Sequence, residues 1–318
     1  MTPRDEARQA LRIYQSRTGL SLREIADRTG FSHHSLRQFV SIARYGDGEG
    51  EFTAQAILGF IAENPAAKPE LPGKLYETNC SRTIDTMLKY VARGRWGTMY
   101  GPAGAQKSFV LEYRAAEAAA DPEPNIVYVC CSPTLTPCAL THRIATALGT
   151  PYAQSREGAF QAVLFALRRR APVALVIDEA QHLYKLIDTL ETIRDIADAS
   201  HGKMGILIAG NDQVTEIFKN RRGINFEQWR SRVEQKSIVL LGLAPEEAQE
   251  IAHTELPQLK PEAIKELVQR STVQHINPEA GKLQNYVNAR RLFNAIRDFR
   301  EATESRRPRL AIQQKGAA

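Results

Sequence analysis

Cysteine is scarce. The 318 residues hold four, Cys80, Cys130, Cys131 and Cys138, with no C-x-x-C pair and no histidine cluster beside them. This pattern argues against a zinc site and a disulfide framework, and points to a reducing, cytoplasmic setting. Long hydrophobic runs are missing too: nothing approaches the roughly 18 apolar residues that span a bilayer. The opening Met-Thr-Pro-Arg-Asp-Glu has no apolar leader core, so neither export nor a membrane partner is expected. No internal repeat is evident. With 43% hydrophobic and 25% charged residues, wholesale disorder and collagen-like structure are excluded, and the length suits about two domains.

Charge is unevenly placed. The chain carries 42 Lys and Arg against 36 Asp and Glu, net +6. Residues 1–45 hold eight arginines against four acids, and residues 282–318 hold nine basic groups against three acids, leaving an acidic middle. Basic ends around an acidic centre suggest that the ends meet a polyanion while the centre does something else.

Apolar positions recur at helical spacing through Ala10, Leu11, Tyr14, then Leu22, Ile25, Ala26, then Leu36, Phe39, Val40, which predicts short helices over 5–44. Another short helix is expected near 54–62. Pro65, Pro69 and Pro72 mark a linker. After a helix at 80–92, strands expected at 98–100, 126–130, 173–177, 205–209 and 237–241 alternate with helices, the pattern of an α/β fold with a parallel sheet covered on both faces. From Pro245 onward the pattern reads as helical only. The expected organisation is an N-terminal helical domain (1–63), a linker (64–74), an α/β core (75–243), a helical lid (244–303) and a basic tail (304–318).

Residues 101–108 read GPAGAQKS, after a short strand and before a helix, the setting a phosphate-binding loop requires. Backbone N–H groups of Gly101, Gly104, Ala105 and Gln106 would face phosphates, Lys107 would reach the β and γ groups, and Ser108 would hold Mg²⁺. Gln106 departs from the pattern, which has glycine there; its side chain either crowds the phosphates or demands a modified loop. A Gly-Pro turn before a helix would explain the glycines alone. Seventy residues on, VALVIDEAQHL ends a buried strand with Asp178 and Glu179, where ligands bind in open α/β sheets. Asp178 would hold Mg²⁺ and Glu179 would polarise the attacking water; a solvated helix start is the plainer reading of the pair. Strand GILIAG ends at Asn211, which either orients that water or caps a helix. Arg230 and Arg232 precede the last strand and suit either a finger into a neighbour's site or a solvated edge. Arg290 and Arg291 open the final helix and suit either γ-phosphate sensing or nucleic acid.

Together these motifs resemble an AAA+ P-loop ATPase. YETNCSRTIDTMLKYVARGRWGTMYGPAGAQKS, with DEAQHL and IAGN, resembles the transposition ATPases of the phage Mu B type and, more distantly, the TniB and TnsC group, over roughly 75–300. That resemblance implies an ATP-dependent, DNA-binding oligomer, ring or helical filament, that captures target DNA and delivers it to a transposase. It makes Lys107 and Ser108 nucleotide contacts, Asp178 and Glu179 the magnesium and hydrolysis pair, Asn211 a sensor and Arg232 the finger.

Residues 22–41, LREIADRTGFSHHSLRQFVS, fit a helix-turn-helix: small Ala26, a turn at Gly30, a cap at Ser32, and Ile25, Leu36 and Phe39 between the helices. The second helix would show His33, His34, Arg37 and Gln38 to duplex DNA. A helical interaction module without DNA contact fits the same spacing. His33 and His34 diverge around a helix and have no third ligand nearby, so they read as surface groups. A helix-turn-helix transcriptional regulator whose P-loop domain is a nucleotide switch is the rival reading.

Overall fold

The structure is a computed structural model that describes residues 3–18, 20–41, 47–64, 70–121, 124–150, 155–218, 226–233, 236–277 and 281–304. Pro65, Pro69, Pro278 and the basic tail beyond 304 lie outside the described residues.

Four helices come first: α1 (Pro3–Thr18), α2 (Leu22–Thr29), α3 (His33–Val40) and α4 (Asp47–Glu63). Ser21 caps α2 in a reciprocal box with Glu24, and Gly30 ends it with a φ of 74°, which a side chain would disfavour. Ser32 caps α3 through Ser35 N–H at 3.0 Å. Ile25, Ala26, Leu36 and Phe39 are fully buried with Ala7, Leu11, Ala54 and Ile57, so α2 and α3 sit on a platform of α1 and α4. His33, His34, Arg37 and Gln38 are all exposed on α3. Part of the basic N-terminus is consumed internally. Arg8 Nε donates to Phe39 O at 2.6 Å and Arg12 to Val40 O at 3.4 Å, neutralising the carbonyl end of α3. Burial, then the neighbouring Arg8 charge, lowers the Arg12 pKa.

The core follows: α5 (Asn79–Val91), β1 (Trp96–Tyr100), α6 (Lys107–Ala118), β2 (Ile126–Cys130), α7 (Pro137–Ala147), α8 (Arg156–Arg168), β3 (Val173–Asp178), α9 (Ile187–Ala199), β4 (Met204–Gly210), α10 (Val214–Ile217), α11 (Glu227–Val233) and β5 (Ser237–Val239). The strands form one parallel sheet in the order β2-β3-β4-β1-β5. Every residue of β1, β3 and β4 is buried, as unbroken apolar runs require when helices cover both faces. One face packs on α5 and α6 through Ile84, Met87, Val110 and Leu111. The other holds Leu140, Ile144, Ile193 and Ile196, with Trp229 stacked 5.5 Å from Phe218. The order brings the C-terminal ends of the three central strands, β3, β4 and β1, side by side.

The last part corrects the expectation of helices only. After α12 (Pro245–Glu255) and α13 (Pro261–Ser271) come β6 (Thr272–Asn277) and β7 (Lys282–Val287), an antiparallel hairpin, before α14 (Ala289–Glu304). Val273 and Ile276 are three apart and imitate helical spacing, but the true period is two. Thr272, Gln274 and Ile276 share one face, Val273, His275 and Asn277 the other. Ile276 and its cross-strand partner Leu283 are exposed. The remaining apolar positions, Leu243, Ile251, Leu256, Ile264, Leu292 and Ile296, form a separate small core.

Among the described residues no helix is long and apolar enough to cross a membrane, and no group of three or more His, Cys, Asp or Glu could hold a metal ion. All four cysteines are free.

Candidate nucleotide-binding site

The loop between β1 and α6 closes on itself through left-handed backbone. Gly101 and Gly104 have φ of 148° and 83°. A Cβ on Gly101 would lie 2.0 Å from Leu240 O, and one on Gly104 2.2 Å from Asn288 Oδ1, so both positions need glycine for close approach as well as for φ. Gln106 takes the same hand without being glycine, at φ 67° and ψ 0°. Its side chain is held at Thr78, whose Oγ1 donates to Gln106 Oε1 at 3.3 Å. Thr78 thus anchors Gln106 beside the start of α5. The left-handed backbone costs a non-glycine residue about 1–2 kcal/mol. Gln106→Gly is expected to change stability by less than about 1 kcal/mol, since relief of φ and loss of the Thr78 bond oppose each other. A denaturant titration checks it.

Lys107 is 8% exposed, and its Nζ donates to Gly101 O and Pro102 O, each at 2.8 Å. Burial lowers its pKa, while Asp178, Asp212 and Glu179 act the other way. Ala105 is buried under the loop, and Ser108 lies on the first turn of α6.

Asp178 ends β3 at 1% exposure. Its Oδ1 accepts from Glu179 N–H and its Oδ2 from the Tyr128 hydroxyl, both at 2.9 Å. Burial, then the charge and hydrogen bond of Asp178, raises the Tyr128 pKa, keeping the phenol a donor. Glu179 sits in left-handed backbone at φ 52°. Gln181 bridges two strand tips: its Nε2 donates to Glu179 Oε2, and its Oε1 accepts from Asn211 N–H at 3.4 Å. A Cβ on Gly210 would lie 2.5 Å from that Oε1, so the glycine makes room for the bridge. Asn211 Oδ1 accepts from Gln213 N–H at 3.0 Å, a local turn bond; the N-cap of α10 is Gln213, so Asn211 is not the helix cap that the sequence offered beside sensing.

Lys107, Ser108, Glu179, Gln181, Asn211 and Arg290 line one cavity of about 520 Å³. Tyr76 and Phe293 line it as well, with rings 5.9 Å apart. The Tyr76 hydroxyl is buried without a hydrogen-bond partner among the described residues. The start of α14 docks directly on the loop: Asn288 Nδ2 donates to Ala103 O at 2.9 Å and Ala289 N–H to Gly104 O at 3.0 Å. His275 Nε2 lies 2.9 Å from Asp212 Oδ2, joining the hairpin to the tip of β4. A loop at a helix start, a buried cation, a hydroxyl and a carboxylate together fit a nucleoside triphosphate with a divalent cation.

One arginine lies elsewhere. Arg232 pairs with Asp198 and stacks 4.8 Å from the Trp96 ring, at the start of β1 rather than the end that carries the loop. The structure does not bring it to the cavity of its own chain. Arg300 is held by Glu255, which lines the cavity with Lys74, its other partner at 3.1 Å. Sequence reasoning missed Tyr128 and Gln181. Gln181 stands inside the DEAQ motif, so its place after the acidic pair was a usable signal; Tyr128 had none, because its role depends on the pairing of β2 with β3.

No curated protein matches the sequence. The AAA domain family matches residues 92–218. A Walker-type ATPase of Pyrococcus abyssi is similar in structure, with a TM-score of 0.51 at 12% identity over 74% of this chain and 71% of that one. The Aeropyrum pernix ORC1 protein in complex with DNA gives 0.49 at 19% identity, over 73% of this chain, and AMPPCP-bound DnaA from Aquifex aeolicus gives 0.46 at 15%, over 71%. This chain spans 62% and 63% of the lengths of those two. The chain has the AAA+ P-loop NTPase fold, a five-stranded parallel sheet with flanking helices beside an N-terminal helical region.

Proposed function

We propose that this chain binds ATP with Mg²⁺, oligomerises on duplex DNA in that state, and serves DNA transposition by presenting target DNA to a transposase. The observation that carries the nucleotide part is the convergence of Lys107, Ser108, Glu179 and Asn211 on one cavity, with Asp178 buried beside it. The transposition part rests on the sequence resemblance to Mu B-type ATPases.

Bound Mg²⁺ would neutralise phosphate charge, with Ser108 and Asp178 as its ligands. Lys107 holds the phosphates, Glu179 takes the proton of the attacking water, and Asn211 orients that water. Arg290 contacts phosphate from the lid. Arg232, away from its own cavity, acts across a subunit boundary after leaving Asp198, so each site is complete only between subunits. His33, His34, Arg37 and Gln38 contact DNA.

The Gln181 amide on Glu179 favours a second reading. It engages one oxygen of the carboxylate needed for hydrolysis, as suits a helix-turn-helix regulator whose nucleotide domain switches with little turnover. Binding of labelled non-specific duplex in ATP, in ADP and without nucleotide tests the proposal. ATP is expected to raise affinity, and affinity to fall steeply with salt. Nucleotide-independent binding would sink the assembly model, and strong preference for one operator would favour the regulator.

A further inference from the structure

Tyr128 on β2 is the register partner of Val176, and Cys130 that of Asp178. Side chains alternate across a sheet, so Tyr128, Val176 and Asp178 share one face, the one packed on α6. From there the Tyr128 ring reaches one diagonal step along β3, and its hydroxyl donates to Asp178 Oδ2 at 2.9 Å. A carboxylate turns easily about its last bond, in a broad two-fold well. Here both oxygens are fixed, Oδ1 by Glu179 N–H and Oδ2 by Tyr128, while Lys107 Nζ is bound to loop carbonyls instead. Among the described residues no other side chain donates a hydrogen bond to Asp178.

We propose that Tyr128 is a positioning residue for magnesium: by holding one oxygen of Asp178 it sets the orientation in which that carboxylate, with Ser108, receives the ion. The assignment rests on the reading of the cavity as a site for ATP and Mg²⁺. Tyr128 touches neither nucleotide nor water in this role and acts only through Asp178.

Tyr128→Phe keeps the ring and removes the donor. The test titrates Mg²⁺ into full-length protein saturated with a fluorescent ATP analogue, beside nucleotide titrations in EDTA and a thermal melt. The variant is expected to need about tenfold more Mg²⁺ at the midpoint, the scale seen when a partner of a metal ligand is lost, with nucleotide affinity in EDTA unchanged. Asp178→Asn is expected to lose the Mg²⁺ response. A Tyr128→Phe midpoint equal to wild type overturns the assignment and leaves the site reading intact. Equal weakening in EDTA also overturns it, because it marks general loosening of the core. A wild-type signal that ignores Mg²⁺, unchanged in Asp178→Asn, overturns the site reading and the assignment together.

Discussion

Lys107→Ala is expected to lower turnover about 100- to 1,000-fold, the scale of removing one preorganised donor from a site where charge develops. It is also expected to abolish the ATP effect on DNA binding. The ammonium is in place before any ligand, tied to Gly101 O and Pro102 O at the start of the loop. Burial alone disfavours its charge, so a polyanion entering the cavity supplies the partner that loop carbonyls replace only in part. Truncation leaves those carbonyls without their donor but also removes a desolvated cation. These opposite effects keep the fold near its wild-type stability. A fluorescent ATP titration with a thermal melt and a phosphate-release assay separates the outcomes. Wild-type turnover in a folded variant would remove Lys107 from the phosphates.

Much of this architecture is visible in local sequence because its causes are local. The run from Val173 to Ile177 is apolar without alternation, as a strand covered on both faces must be, and GPAGAQKS shows its glycines, lysine and serine in one run before a helix. Ser21, Gly30 and Ser32 bound two short helices by chemistry within three residues of each end. Features that escaped depend on distant partners. The hairpin strands at 272–277 and 282–287 imitated helical spacing and are stabilised by cross-strand pairing. Gln106 was read against a glycine pattern, yet its side chain is engaged by Thr78, 28 residues away. Tyr128 meets Asp178 across 50 residues, through a pairing that no spacing announces. Intrachain bonds in the basic ends escaped as well: Arg8, Arg12 and Arg300 bind carbonyls or a carboxylate of their own chain.

Glu179→Gln is expected to cut hydrolysis about 100- to 10,000-fold, the range for loss of a positioned general base, while nucleotide and DNA binding persist. The substitution preserves length and leaves an oxygen that accepts from Gln181, so the bridge to Asn211 N–H and the left-handed turn after β3 have no reason to rearrange. What disappears is the carboxylate that takes a proton. If nucleotide gates assembly, the variant holds ATP, and its DNA complexes outlive those of wild type after free ATP is removed; phosphate release and complex lifetime, measured together, read the two halves of that expectation. Unchanged phosphate release would exclude Glu179 as the base. Wild-type protein with no turnover, and a lifetime equal to that of the variant, would instead support the switch reading, in which Gln181 keeps Glu179 out of chemistry.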